Sequence, residues 1–163
     1  MDKGAMLTDP IDNYDPEYLI ERMHKKLGVM MDEQMKLNEY QSLAMRTDPI
    51  DNYDPECRKT QRLTNALMGL NGEAGEAIEI LKKAMFQGHT LLVDNVIEEL
   101  GDCLWYIVEA ADALGYKLSD VARNNIEKLK KRYPNGFTAK DSIERRDHDT
   151  NGEPDMSEVR SKP

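Results

Sequence analysis

Two pairs of carboxylates, each with a spacing of three residues, are the feature of this sequence best able to do chemistry. Glu73 and Glu76 stand in the segment NGEAGEAIE, and Glu99 and Asp102 stand in EELGD. Residues three apart share one face of an α-helix, so each pair would present two carboxylates side by side. A solvated acidic face is the ordinary interpretation of one such pair. Here both pairs lie among apolar and small residues, which favours a metal site.

Four carboxylates on two neighbouring helices would repel one another strongly without a cation. Oxygen ligands of this kind suit Mg²⁺, with Mn²⁺ as a substitute, rather than zinc. We therefore expect Glu73, Glu76, Glu99 and Asp102 to hold Mg²⁺. The sequence shows no Ser/His/Asp or Cys/His arrangement and no Walker-type glycine-rich loop that would favour another chemistry.

Basic and polar residues elsewhere are candidates to bind an anion near such a metal. Lys83 continues the stripe of the first carboxylate pair, although a solvated lysine is the alternative. Asn125, Lys128 and Arg132 share one face of a later helix, where basic residues could also simply complement the helix dipole. Trp105, one helical turn after the second carboxylate pair, would either border a nucleobase or lie in the core. These five residues are the candidate substrate ligands.

Helices must position these residues, because apolar side chains recur at spacings of three and four. The pattern predicts an all-α, four-helix-bundle-type domain. A short amphipathic helix ending at Gly28 would precede it. Ser119 is the expected N-cap of the last long helix, and Gly115 would end the helix before it. The predicted domain helices cover about residues 33–45, 58–86, 92–114 and 120–132.

The predicted buried faces of the first three domain helices are made of apolar residues. Their members are Met35, Tyr40, Leu43 and Ala44; Leu63, Leu67, Leu70, Ala74, Ala77 and Leu81; and Val93, Val96, Ile97, Leu100, Leu104, Ile107 and Ala111. Gly69, Gly72 and Gly75 interrupt the second of these helices. Because glycine weakens a helix, three of them suggest the close approach of another helix or a ligand.

A repeated segment is the second unusual feature of the chain. Residues 5–17 read AMLTDPIDNYDPE and residues 44–56 read AMRTDPIDNYDPE, so that only Leu7 and Arg46 differ. The flanking sequences do not match, which argues against a solenoid of repeats. Two interpretations stay open: a local duplication, or an arm that docks on a neighbouring subunit. Each copy is rich in Asp, Asn and Pro, so we expect loops whose acids cap a following helix.

The composition limits the class of protein. The 163 residues include 22 Lys and Arg against 31 Asp and Glu, and the net charge of −9 argues against binding to a nucleic-acid polymer. The longest apolar run, residues 103–108, is far shorter than the roughly 20 residues of a membrane span. The two cysteines form no disulfide framework, and the sequence shows no apparent secretory leader. We therefore expect a cytoplasmic protein.

The two carboxylate pairs and their flanks resemble the MazG-like nucleotide pyrophosphohydrolases of the all-α NTP pyrophosphatase superfamily. The pairs are separated by 22 residues, and the segments NEYQSLAMRT, LMGLNGEAGEAIEILKKAMFQGH, EELGDCLWYIVEAADALG and NIEKLKKRYPNGF follow in family order. The resemblance covers about residues 32–137. It predicts an extension at residues 1–30 and a catalytic domain at 31–137. Residues 138–163 contain few apolar residues, so we expect a polar tail that is flexible or draped over a neighbour.

The resemblance implies Mg²⁺-dependent hydrolysis of a nucleoside triphosphate to the monophosphate and pyrophosphate, for housecleaning or nucleotide-pool control. Glu73, Glu76, Glu99 and Asp102 would be catalytic as metal ligands, and Glu76 is a candidate to accept the proton from water. Lys128 and Arg132 are implied phosphate ligands. Members of the family form homodimers or homotetramers, so oligomerisation would complete the bundle. The alternative is a catalytically idle helical module for oligomerisation or interaction.

Overall fold

The computed structural model describes residues 15–28 and 35–145, and helices are their main regular elements. Within these two ranges the α-helices are α1 (Pro16–Leu27), α2 (Leu37–Ala44), α3 (Arg58–Phe86), α4 (Val93–Ala113), α5 (Leu118–Arg132) and α6 (Ala139–Glu144). Two short 3-10 helices, Met45–Thr47 and Ile50–Asn52, connect α2 to α3. The described residues contain no strand, and the all-α prediction is confirmed.

The helix boundaries follow from local capping chemistry. Asp15 begins α1, because its Oδ1 accepts hydrogen bonds from the backbone N–H groups of Glu17 and Tyr18. Gly28 ends α1 in the left-handed conformation, with φ of 66°. Gly115 plays the corresponding part after α4, with φ of 81°. These ends agree with the predictions for α1 and α4.

The antiparallel pair of α3 and α4 is the main packing unit of the fold. The residue numbers of the contacting pairs rise along α3 and fall along α4: Arg62 faces Asp112, Asn65 faces Glu109, and Gly69 faces Tyr106. A Cβ built on Gly69 would overlap the Tyr106 ring, so this glycine allows the two helices to approach closely. By contrast, a Cβ on Gly72 or Gly75 would meet no atom within 4 Å.

Several predicted boundaries were wrong by a few residues. Helix α2 begins at Leu37, after the non-helical Met35 and Lys36; residues 33 and 34 lie outside the described part of the chain. Helix α5 begins at Leu118, so Ser119 lies inside its first turn and is not its N-cap. The first residues of the tail that was predicted to be flexible or draped over a neighbour form α6, because Thr138 caps that helix through a hydrogen bond from the Asp141 N–H; residues 146–163 lie outside the described part of the chain.

The predicted buried faces were wrong at several positions in the chain taken alone. Leu67 is 55% exposed and Leu100 is 53% exposed, and Met35, Leu43 and Ile97 are exposed as well. Ala74 is also exposed. Small residues such as Ala66 and Ala111 fill the α3–α4 contact instead, together with Val108. A helix pair covers only a narrow stripe on each helix, and the rest of each apolar face stays open.

The chain is divided into two compact units. The first covers residues 1–118 and includes α1 to α4; the second covers residues 119–163 and includes α6 and all but the first residue of α5. None of the helices in the described residues is both long and apolar enough to cross a membrane.

Candidate metal centre

Three of the four predicted carboxylate ligands come together where α3 faces α4. Glu73, Glu76 and Glu99 each offer an oxygen, and these oxygens all lie within 4.8 Å of one another. We call these three residues the carboxylate cluster. Glu73 and Glu99 are partly buried, and Glu76 is exposed. The fourth residue, Asp102, is exposed and lies outside the group that meets this distance.

The antiparallel packing explains why these side chains meet. Glu73 follows Gly69 by one turn of α3, and Glu99 precedes Tyr106 by two turns of α4. The close approach at Gly69 therefore continues directly into the carboxylate cluster. Open space adjoins the cluster, because a Cβ added to Gly72 or Gly101 would contact nothing within 4 Å.

The cluster generates a strongly negative local potential. The pKa of Glu99 is raised by burial first, then by the charges of Glu76, Glu73 and Asp102. Asp102 therefore lies near enough to act on Glu99. Burial is also the main reason that the pKa of the Cys103 thiol is raised, and the charges of Glu73, Glu99 and Asp102 add to it.

The same acidic residues also contribute to raised pKa values of two tyrosines. Burial raises the pKa of Tyr106, and the charge of Glu73 is the next cause. Burial likewise raises the pKa of Tyr40 on α2, and the charge of Asp102 contributes. Tyr40 was predicted to lie on a buried face, but its position near the acidic residues was not predicted. The missing information was the packing of α2 against α4.

The donor set of the cluster fits a hard divalent cation. Two oxygens bound to one Mg²⁺ ion with bonds of roughly 2.0–2.1 Å stand at most about 4.2 Å apart, and the three oxygens of the cluster lie within 4.8 Å of one another. Among the described residues no Lys or Arg forms an ion pair with the cluster. Carboxylates that crowd together without a basic partner favour either a proton or a metal ion.

The other end of the helix pair holds acids in a different way. The Tyr53 hydroxyl donates to Glu109 Oε1 at 3.0 Å, and Asn65 Nδ2 donates to Glu109 Oε2 at 3.0 Å. Arg62 forms ion pairs with Asp48 and Asp112, the latter at 2.9 Å. Together with Gln41, which donates to Asp112 Oδ1 at 3.3 Å, these residues form what we call the buried polar network.

The buried polar network was not predicted from the sequence. Its signal was present, since Glu109 follows Asp102 by seven residues and so continues the acidic face of α4 by two turns. Arg62 was equally visible as a charge beside the apolar stripe of α3. A search confined to metal-type spacing and apolar periodicity passes over both residues, although Glu109 is completely buried.

The predicted substrate ligands of the first unit make other contacts. Lys83 lies 3.6 Å from Glu79, one turn earlier on α3. The Trp105 indole N–H donates to Thr47 Oγ1 at 2.9 Å and to the Ala44 carbonyl at 3.2 Å. The Trp105 ring also packs edge-on against Tyr106, with centroids 5.0 Å apart. Trp105 thus connects α4 to the end of α2.

The remaining predicted substrate ligands belong to the second unit. Asn125 and Lys128 are exposed on α5. Arg132 is partly buried, and its guanidinium lies 5.9 Å from the centre of the Tyr133 ring. Their role as phosphate ligands stays a prediction.

The fold and the cluster define an all-α protein with carboxylates gathered between two antiparallel helices, and comparisons identify its family. The family model for the MazG nucleotide pyrophosphohydrolase domain matches residues 61–137. The "Gene 37 protein" of Mycobacterium phage L5 is 34% identical over 85 residues, which are 50% of this chain and 75% of that protein. No solved structure matches. The chain belongs to the MazG nucleotide pyrophosphohydrolase family.

Proposed function

We propose that this protein is a divalent-metal-dependent pyrophosphohydrolase that converts a nucleoside triphosphate, with ribose or deoxyribose, and water into the monophosphate and pyrophosphate. Mg²⁺ is the proposed ion, and Mn²⁺ can substitute. The observation that carries the proposal is the carboxylate cluster in a chain of the MazG family. The biological purpose of this hydrolysis would be housecleaning or control of a nucleotide pool.

The residues of the cluster have separate tasks in this proposal. Glu73, Glu76 and Glu99 would hold the ion, and Asp102 would join them or add negative charge beside them. Once bound, the divalent ion supplies Lewis acidity toward the phosphate oxygens and neutralises their charge. Glu76 is the exposed member of the cluster and so the one best placed to accept a proton from the attacking water.

Substrate binding is proposed for residues outside the cluster. Lys83, Asn125, Lys128 and Arg132 would bind phosphate oxygens or the nucleoside, since Lys and Arg form the strongest hydrogen bonds to such anions. Trp105 keeps its ring as a candidate surface for a base, although its N–H is already engaged by Thr47.

We also propose a homodimer or homotetramer. Large apolar side chains on the long helices, including Leu67, Met68, Ile78 and Leu100, are more than half exposed in the single chain. Exposed apolar area of this kind marks an interface. The second candidate function, a catalytically idle oligomerisation module, draws on the same observation.

The experiment that separates the two functions measures pyrophosphate release. The protein is incubated with Mg²⁺ and a panel of ribo- and deoxyribonucleoside triphosphates. Glu76→Gln is the inactive variant. Glu79→Gln is its matched control, because Glu79 lies on the same helix but pairs with Lys82 and Lys83. We expect turnover by the wild type and by Glu79→Gln only. If no nucleotide is turned over faster than by Glu76→Gln, the proposed enzyme function fails and the idle module remains.

A further inference from the structure

The second copy of the repeated segment contacts the helices through side chains that both copies contain. Thr47 Oγ1 accepts the hydrogen bond of Trp105. The carboxylate of Asp48, with its side chain 4% exposed, forms an ion pair with Arg62. The Tyr53 hydroxyl donates to the buried Glu109. We call Arg62, Trp105 and Glu109 the receptor.

The first copy offers the receptor the same chemical groups. Thr8, Asp9 and Tyr14 are the counterparts of the three contacting residues of the second copy. Met45, whose sulfur accepts a hydrogen bond from Arg62 Nη2 at 3.6 Å, corresponds to Met6 in the same register.

The single difference between the copies falls where it does not affect docking. The differing position is Arg46 in the second copy and Leu7 in the first, and Arg46 is exposed. Every side chain of the second copy that reaches the receptor is thus identical in the first.

The described ends of the two copies also share a local hydrogen bond. Asp15 Oδ1 accepts from the Glu17 N–H at 3.0 Å, and Asp54 Oδ1 accepts from the Glu56 N–H at 2.9 Å. In the first copy Asp15 is the N-cap of α1 and Pro16 and Glu17 are its first residues, whereas in the second copy the same Asp-Pro-Glu sequence forms a turn that precedes α3. The two copies therefore agree in sequence throughout their docking positions and share this one hydrogen bond at their ends.

An empty receptor would be unfavourable. Arg62 has a side-chain exposure of 9%, and Glu109 is fully buried. Buried charged groups that lose a partner carry a large desolvation cost. Any segment that restores the carboxylate to Arg62 and the hydroxyl to Glu109 relieves this cost, and the chain contains two such segments.

We propose that the receptor binds either copy, so that residues 8–14 can replace residues 47–53 in it. The second copy is held at both ends by α2 and α3, which gives it the higher effective concentration at the receptor. In the resting protein the second copy therefore occupies the receptor. Exchange of identical elements between protomers is a low-cost route to association. Here the exchanged element is present twice in each chain.

A double-mutant cycle between the copies tests this exchange by thermal unfolding. The second-copy variant carries Asp48→Asn with Tyr53→Phe, and the first-copy variant carries Asp9→Asn with Tyr14→Phe. We expect the first-copy variant to unfold at the wild-type temperature. The variant with all four substitutions should lose at least about 5 °C more than the sum of the two separate losses, because no intact copy remains. Purely additive losses would overturn the proposal.

A peptide provides the second measurement and a matched control. A synthetic peptide of residues 5–17, added in excess, should raise the unfolding temperature of the four-substitution chain. The same peptide with Asp9→Asn and Tyr14→Phe should not, and equal effects of both peptides would contradict the exchange. If four substitutions prevent folding, Tyr14→Phe with Tyr53→Phe serves in both experiments.

Discussion

The hairpin of α3 and α4 carries acidic side chains toward both of its ends, and the two ends differ in what faces those acids. In the buried polar network, Glu109 receives hydrogen bonds from Tyr53 and Asn65, and Asp112 is paired with Arg62. In the carboxylate cluster, the nearest charged neighbours of Glu99 are other acids. The acids at one end are paired within a single chain, whereas those at the other end face further acids, and we propose that a cation binds there.

Carboxylates on one helix face can thus have different surroundings, one set with partners in the same chain and the other facing further acids, as we propose for a metal site. Position on the helix does not distinguish the two cases, because Glu99, Asp102 and Glu109 continue one another at helical spacing along α4. The partners on the facing elements distinguish them. Arg62 and Asn65 stand on α3 opposite the structural acids, while Glu73 and Glu76 stand on the same helix opposite Glu99.

The largest expected effect comes from breaking the network at Arg62. Arg62→Met leaves Asp48 buried without its ion pair, and removing one partner of a buried pair costs about 3–5 kcal/mol. Chemical denaturation should report a loss of this size. Arg123→Met is the control, because the Arg123–Asp120 pair at 3.8 Å is exposed and should contribute less than about 1 kcal/mol. Equal losses in both variants would mean that the network does not stabilise the fold.

The helix contact between the two ends is tested at Gly69. In Gly69→Ala the new methyl group overlaps the Tyr106 ring, and overpacking of this kind costs about 1–3 kcal/mol. Gly72→Ala is the matched control, since its Cβ meets no atom and the better helix propensity of Ala should stabilise by about 1 kcal/mol. Opposite signs in denaturation experiments are the expected outcome. Stabilisation by Gly69→Ala would contradict the close approach of α3 and α4.

A smaller effect is expected from the titration of Tyr53 in the network. Burial, followed by the hydrogen bond to Glu109, raises the pKa of Tyr53 to about 12, against about 10 in an unfolded chain. The folded state therefore holds this proton more tightly, so that stability is complete below about pH 10 and falls as the pH rises toward about 12. The wild type should lose more stability over this interval than Tyr53→Phe.

The matched control for this titration is Tyr116→Phe, which removes a hydroxyl from an exposed ring. Its stability should follow that of the wild type across the same pH interval. If Tyr53→Phe also follows the wild type, the Tyr53–Glu109 contact does not control the alkaline loss.

The smallest effect is expected for Glu99→Gln, whose effect on the unfolding temperature should change sign when Mg²⁺ is added. Burial and the neighbouring acids raise its pKa, so the metal-free protein is stabilised as the pH falls through that raised pKa and destabilised by the charge at neutral pH. In a buffer that contains a chelator, Glu99→Gln should accordingly unfold at a higher temperature than the wild type. With Mg²⁺ in excess the order should reverse, because only the intact cluster gains binding free energy. An order that is the same in both buffers would contradict repulsion within the cluster.

The helices and the carboxylate pairs could be predicted from the sequence because both depend on local spacing. Helix α3 begins at Arg58 and ends at Phe86, as apolar periodicity predicts, and three of the four expected ligands converge. The burial of Gln41, Arg62 and Glu109 could not be found in this way. Apart from Asp48 and Met45, which contact Arg62, their partners lie 44 to 77 residues away along the chain, and periodicity carries no information about which polar groups will meet.

The exposed apolar residues illustrate a second limit. Leu67 and Leu100 fit the apolar stripes of α3 and α4, but the contact between these helices is occupied by Gly69, Ala66 and Val108. Periodicity identifies the face of a helix that is apolar, and it does not say whether the same chain or a second chain covers that face.

The measurement that tests the central claim most directly is the binding of Mn²⁺, followed by the electron paramagnetic resonance signal of the free ion. The wild type should bind Mn²⁺, and Glu73→Gln should weaken the affinity at least about tenfold, because it removes a direct ligand. Asp112→Asn, at the other end of the helix pair, should bind as the wild type does. Unchanged affinity in Glu73→Gln, or an equal loss in Asp112→Asn, would contradict the assignment of the cation to the carboxylate cluster.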